Sequence, residues 1–410
     1  MARSLGMTAY RALTRRGVVQ NDAPEADRPK GELVWIHAGE PENLLAVQDL
    51  ALRLIGIRQN LHAIITYPQE ESSGPRAPAR PDQGLLQIAV PGEHPTEVAA
   101  FLDHWRPDAC IWVWGGLRPN LVIETAQRGC PLVLIDAGSG GFDGRRNRWM
   151  PDLTRQMLLK FLAVFTKDAA GAKKLGQFGL PGDIITQTGP LLAGGQVLGF
   201  NEQDMNELSA ALAGRPVWFA AGLTQEEIPI VLAAHKHALR LFHRLLLVVQ
   251  PDDPDCIPDL ITQAADRNLP AVLWDDGQFP DDTTQLLISG EARERGLFYR
   301  VAPVSFLGGT LISGGNGCDP LEAAALGSAI LYGPRLRHFM PSYSRLASAG
   351  AARIVNDADA LGTAVSRLIA PDQAASMAHA GWDVISQGAM LTDQVIDFVQ
   401  DTLDTKLVRT

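Results

Sequence analysis

Residues 306–334 read FLGGTLISGGNGCDPLEAAALGSAILYGP. This stretch predicts a buried strand, a glycine-rich turn, a helix and a second buried strand. Gly308, Gly309, Gly314, Gly315 and Gly317 let the backbone come close to a neighbour, because glycine carries no Cβ. Asp319, Pro320 and Glu322 open the helix, and a helix N-terminus emerging from a glycine-rich loop favours a phosphate. The same residues also make an ordinary capped helix, with Asp319 as N-cap, Pro320 at N1 and Glu322 at N3. Residue chemistry leaves both readings standing: a nucleotide or sugar-phosphate site, and a helix cap.

Outward from that stretch, short apolar strands alternate with helices. Strands are predicted at 33–37, 61–66, 85–90, 109–114 and 131–136, and again at 217–222, 245–250, 270–274 and 352–355. Helices are predicted at 42–54, 95–104, from Pro119, at 225–240 and at 257–267. Such alternation implies parallel sheets covered on both faces. The pattern pauses at 190–214. The expected fold class is therefore α/β, a GT-B arrangement of two Rossmann-like domains with parallel sheets and an interdomain cleft, ligands lying at the carboxyl ends of the strands. The expected divisions are a basic N-terminal helix or arm (1–30), a first domain (31–192), a linker (193–214), a second domain (215–370) and closing helices (371–410) that cross back to the first.

A chain of 410 residues is long enough for two domains. Its net charge of -10 argues against a nucleic-acid partner held by global positive charge. Cys110, Cys130, Cys256 and Cys318 form no C-x-x-C pair, which points away from zinc and disulfides and towards a reducing compartment. No run of about 18 apolar residues and no signal-peptide core is present, so a cytoplasmic location is expected. The first 20 residues hold Arg3, Arg11, Arg15 and Arg16 with no acid, beside Leu5, Met7, Tyr10 and Leu13. They fit either a weak peripheral anchor on anionic lipid, at the inner face of the inner membrane, or a helix docked on the body. His235 and His237, two residues apart on a helix, face different ways, so no metal site is expected. Trp112 and Trp114 alternate on one strand and are expected in the core.

The whole chain resembles the 3-deoxy-D-manno-octulosonic acid (Kdo) transferases. The resemblance is carried, in order, by YRALTRRG (10–17), WIHA (35–38), FLDHWRPDACIWVWGGLRPNLV (101–122), LVLIDA (132–137), TGPL (188–191), LAAHKHALRLFHRLLLVVQP (232–251), the pair Gly290-Glu291, FLGGTLISGG (306–315) and DPLEAAALGSAILYGP (319–334). It implies an inverting glycosyltransferase of lipopolysaccharide biosynthesis. Such an enzyme moves Kdo from CMP-Kdo, or another sugar from its nucleotide, onto a lipid-linked or saccharide acceptor, without a metal or other cofactor. It implies a nucleotide-sugar site at Gly308, Gly309, Thr310, Gly314, Gly315, Asn316, Asp319 and Glu322. There Glu322 accepts hydrogen bonds from a ribose, and backbone amides face phosphate and sugar. Gly189, Gly222 and Arg118 are candidate anion contacts.

The chain also departs from the family's pattern. The family's Ser-x-Gly-Glu after the first strand carries its general base. Here the segment is HAGEPEN (37–43), and ungapped alignment puts that position on Asn43, an amide that takes no proton near neutral pH. Glu40 and Glu42 are the nearby candidates for the base. Two family glutamates are gone from 114–120, and the family's Asn-Ala-Arg is Asp136, Ala137, Gly138. Its Pro-Arg-His-Pro is Pro251, Asp252, Asp253, Pro254. Two aspartates in place of Arg-His turn attraction for an anionic donor into repulsion, about 4 kcal/mol per unit-charge pair 4 Å apart at an effective dielectric near 20. Arg118, Arg145, Arg146, Arg148, Arg335 and Arg337 are candidate replacements for the lost positive charge. Two expectations follow: a diverged transferase, or a non-catalytic descendant that keeps ligand or partner binding.

Overall fold

A computed structural model describes residues 5–15, 26–40, 43–68, 84–140, 151–194, 198–312 and 315–409. The chain divides into two units, 1–193 with 387–410, and 194–386. Among the described residues each unit is built on one seven-stranded sheet, and every strand pairing is parallel.

The first unit contains β1 (Glu32–His37), β2 (Leu61–Tyr67), β3 (Leu85–Ala89), β4 (Ala109–Val113), β5 (Leu132–Ala137), β6 (Ala163–Thr166) and β7 (Ile185–Gln187), in the order β3-β2-β1-β4-β5-β6-β7. Successive side chains on a strand point to opposite faces. Leu33 and Trp35 of β1 accordingly enter one core with Phe101, Trp112 and Leu121. Val34 and Ile36 enter the other with Val47, Leu50 and Ile111. The closing helix Ala389–Arg409 supplies Leu391, Val395, Val399 and Leu403 to that second core. It is pinned by the Lys406–Asp108 pair at 2.6 Å and the Arg58–Asp404 pair at 2.7 Å.

The second unit contains β8 (Val217–Leu223), β9 (Leu246–Pro251), β10 (Ala271–Leu273), β11 (Leu286–Ile288), β12 (Val304–Leu307), β13 (Ala329–Tyr332) and β14 (Ala352–Ile354), in the order β10-β11-β9-β8-β12-β13-β14. One segment differs from the sequence reading. Residues 371–410 do not cross back as a block. The helix Pro371–Ser386 stays in this unit because Ala374 and Met377 are part of its core. The segment 193–214 contains a helix, Glu202–Leu212, which buries Leu208 and Leu212 in the same unit.

Strand order reverses between β1 and β4 in the first sheet and between β8 and β12 in the second. These are the switch points, where loops at the carboxyl ends part and leave room for a ligand.

Among the described residues each unit buries one histidine. His37 Nδ1 lies 2.9 Å from Thr66 Oγ1, with its ring against Trp112. His235 Nδ1 accepts from Trp218 Nε1 at 3.1 Å. Burial is the main force lowering each pKa, to about 3. An unfolded histidine titrates near 6.5, so the contribution of each is complete above that pH and is lost as pH falls towards 3. Acidification from pH 6.5 to 4.5 should therefore cost about 2.3 kcal/mol per histidine. Urea midpoints against pH test this: His235→Gln should flatten the slope for the second unit, and an unchanged slope rejects the account.

Candidate functional site

At the second switch point, the end of β8 (222–224) meets the loop after β12 (308–311). Neither has room for side chains at the contact. A Cβ on Gly308 would lie 2.5 Å from the Gly222 carbonyl oxygen, and one on Gly315 would lie 2.3 Å from the Gly309 Cα. Gly309 also has φ +69, a left-handed conformation that glycine adopts without strain.

Glu227 fixes the shape of this loop. Its carboxylate, 0% exposed, accepts from the amides of Gly309 (2.6 Å), Thr310 (2.9 Å), Leu311 (2.7 Å) and Thr224 (3.2 Å). The amides at 309 and 310 are therefore engaged by the protein's own anion and do not face a phosphate. Thr310, 1% exposed, is equally committed. Its hydroxyl donates to Leu307 O at 2.6 Å and accepts from Gly333 N at 2.7 Å, and its carbonyl accepts from Arg335 N at 2.7 Å.

Asp319 caps the helix Pro320–Ala325, accepting from Leu321 N at 3.0 Å. Tyr343 OH donates to Cys318 O at 3.0 Å and so tethers the loop that leads into the helix. Asn316 is exposed, Gly315 is buried and Glu322 is half-buried. Gly314 lies outside the described residues. Beneath Glu322 is a group with no counterpart in the sequence reading: Arg295, Tyr299 and Cys318. Burial pushes the Cys318 thiol up to about 11, with Arg295 opposing and Glu322, Asp252 and Asp319 reinforcing the rise. Gly222, with φ +61, lies directly over this group, its Cβ position 2.6 Å from Cys318 Sγ and 3.8 Å from an Arg295 Nη atom.

The first switch point is closed in the same manner. A Cβ on Gly39 would lie 2.8 Å from the Gly115 carbonyl oxygen. Glu40, exposed, runs its side chain past Gly115, its Cγ 3.2 Å from that residue's Cβ position. Asn43 sits at the N-cap of the helix Leu44–Ile57 with no side-chain capping bond, and its amide donates to Glu40 O at 3.1 Å. Glu42 lies outside the described residues. Asp136, at the end of β5, adopts φ +57 and accepts from Leu191 N at 2.9 Å. Burial raises its pKa. Leu191 and Lys167 oppose that rise, while Glu40 and Asp168 add to it, so Glu40 and Asp136 share one electrostatic neighbourhood.

The other candidates are placed apart from these loops or already engaged. Arg118 donates to Pro91 O at 2.9 Å. Gly189, φ +98 with open space around its Cβ position, follows the edge strand β7. Arg335 and Arg337 are exposed, and Arg145, Arg146 and Arg148 lie outside the described residues. Trp112 is fully buried, whereas Trp114 lies just past β4, half-buried, and donates to Gly140 O at 3.1 Å. The helix Leu5–Thr14 is docked on its unit. Tyr10 OH donates to Glu93 at 3.1 Å, and Asn120 donates to Thr14 Oγ1 at 2.9 Å. Glu93 also accepts from the amides of Asn120 and Leu121. The motifs around Tyr10 and Asn120 thus hold one another in place. No described helix is long and apolar enough to cross a membrane.

Two Rossmann-like parallel-sheet units define the fold class of the GT-B glycosyltransferases. A family model described as 3-deoxy-D-manno-octulosonic-acid transferase matches residues 11–192. The Kdo transferase of Haemophilus influenzae is 23% identical over 390 residues, covering 92% of this chain and 89% of that protein. That of Bordetella pertussis is 26% identical over 392 residues, with the same coverage. Among solved structures, the C-terminal CMP-Kdo binding domain of WaaA from Acinetobacter baumannii matches 45% of this chain and 96% of its own, at 23% identity and TM-score 0.42. The chain is thus similar to the Kdo transferases, by the family model over its first unit and by these relatives over most of its length.

Proposed function

We propose that this chain is a glycosyltransferase that takes Kdo from CMP-Kdo held on the second unit and passes it to a saccharide or lipid-linked acceptor on the first. One observation carries the reading: the described residues that match the family in the second unit, 308–312, 315 and 319–322, lie with Gly222 at the reversal point of a parallel sheet. Ligands of such sheets bind there. Glu322 takes the ribose, because a carboxylate accepts from two vicinal hydroxyls at once. Glu40 acts as general base and receives the proton of the acceptor hydroxyl. That oxygen bonds to the sugar's anomeric carbon, the bond from carbon to phosphate oxygen breaks, and CMP leaves with its electron pair. Weak contact of residues 1–20 with anionic lipid belongs to the same reading.

Calorimetry with CMP, UMP and UDP tests the donor site. CMP should bind, and Glu322→Ala should weaken it about tenfold or more by removing charge-assisted bonds to the ribose. Absence of binding by any of the three at millimolar concentration rejects the donor site. Unchanged affinity in Glu322→Ala returns that residue to helix capping alone.

A second reading, a non-catalytic descendant that keeps the ligand site, is favoured by Asn43 at the family's base position and by Glu227 in possession of the loop amides. Binding of CMP without turnover of CMP-Kdo in the presence of a lipid A precursor selects it.

A further inference from the structure

The donor assigned above carries a phosphate and a carboxylate, yet the segment after β9 offers Asp252 and Asp253. The structure provides a cation elsewhere. Arg295 opens the helix Arg295–Val301. Its Nε donates to Gln250 Oε1 at 2.6 Å, and Gln250 Nε2 donates in turn to Glu291 O at 2.7 Å. Gln250 is the residue immediately before Pro251, so the guanidinium is anchored to the end of the strand that carries the two aspartates. Arg295 is half-buried, and among the described residues its hydrogen bond runs through Nε, with none from either Nη atom. One of them lies 3.8 Å from the Cβ position of Gly222, under the switch-point loop. Four residues along the same helix, and so on the same face, Tyr299 presents a buried hydroxyl that also has no partner among the described residues. Unsatisfied charges and hydroxyls are costly to bury without a partner. Two such groups, Arg295 and Tyr299, interact at the ligand end of the sheet, where the Arg295 charge also feels Glu322 and Asp252, and together they offer donors to an anion.

We propose that Arg295, with Tyr299 behind it, holds the phosphate of a nucleoside monophosphate and replaces the positive charge lost at Asp252 and Asp253. This assignment rests on the nucleotide-sugar reading. It is a binding role, and no bond changes at Arg295. A planar guanidinium anchored through Nε keeps both Nη groups free for two phosphate oxygens.

The test compares CMP with cytidine, which lacks the phosphate, by calorimetry on the full chain. Wild-type protein should bind CMP at least about tenfold more tightly than cytidine. Arg295→Gln should abolish that ratio and leave cytidine affinity within about twofold, while Arg295→Lys keeps part of it because one point charge remains. A preserved ratio in Arg295→Gln overturns the assignment while leaving the donor site standing. Equal loss of both ligands overturns it too, since that is what a structural role predicts. If wild-type protein binds neither, the donor reading fails and takes the assignment with it. Should Arg295→Gln not fold by circular dichroism, Tyr299→Phe decides: it should lower the ratio, and an unmoved ratio counts against the cluster.

Discussion

Glu227→Ala should destabilise the second unit by about 4 kcal/mol or leave it unfolded. The carboxylate answers four backbone donors at once, with no solvent to replace it. Each donor left buried without a partner costs about 1–3 kcal/mol, and local relaxation recovers part of the sum. In a unit of this size, 4 kcal/mol corresponds to a melting temperature lower by about 8–16 °C. Glu227→Gln should lie between wild type and Ala. The amide retains one acceptor oxygen, but its NH2 then faces amides that also donate. Scanning calorimetry reads both variants. A Glu227→Ala protein within about 1 kcal/mol of wild type would mean that the loop holds its form without the clamp.

Glu40→Gln should reduce transfer by at least about a hundredfold, the usual contribution of a positioned base, while leaving CMP affinity unchanged. The side chain is exposed at the end of β1 and lies against Gly115, on the first sheet's switch point. Asp136 is the informative comparison. Its carboxyl is raised by burial and feels Glu40, but one oxygen is held by the Leu191 amide. Asp136→Asn keeps an oxygen for that bond and removes the charge, so transfer should fall less than in Glu40→Gln. Full activity in Glu40→Gln with none in Asp136→Asn would move the base to Asp136. Full activity in both would remove the pair from the chemistry.

The two-sheet architecture was legible because long apolar runs such as 33–37, 217–222 and 245–250 leave little choice but a doubly covered parallel strand. β6, β7 and β11 escaped notice, although β10 and β14, no longer than these, did not. The division of the closing helices was hidden too. Their patterns show that each has an apolar face and say nothing about which core receives it. At the site, the glycines and Asp319 were readable as loop and cap, because those roles are local. Glu227 was not. Its sequence neighbours, Gln225 and Glu226, mark only the start of a helix, and three of its four donors lie more than 80 positions away. Arg295 was equally invisible, since its meaning depends on Gln250 and Gly222, from two other strand ends.

The internal clamp bears on how descent should be read. A loop whose donors are answered by Glu227 takes its form at folding, before any ligand arrives. Selection for a protein that merely folds is then enough to preserve Gly308, Gly309, Thr310 and Glu227 together. These residues would outlast a change of substrate, or the loss of one. Residues with no folding duty, such as Glu40, and those with donors to spare, such as Arg295, are where a lineage would record its chemistry.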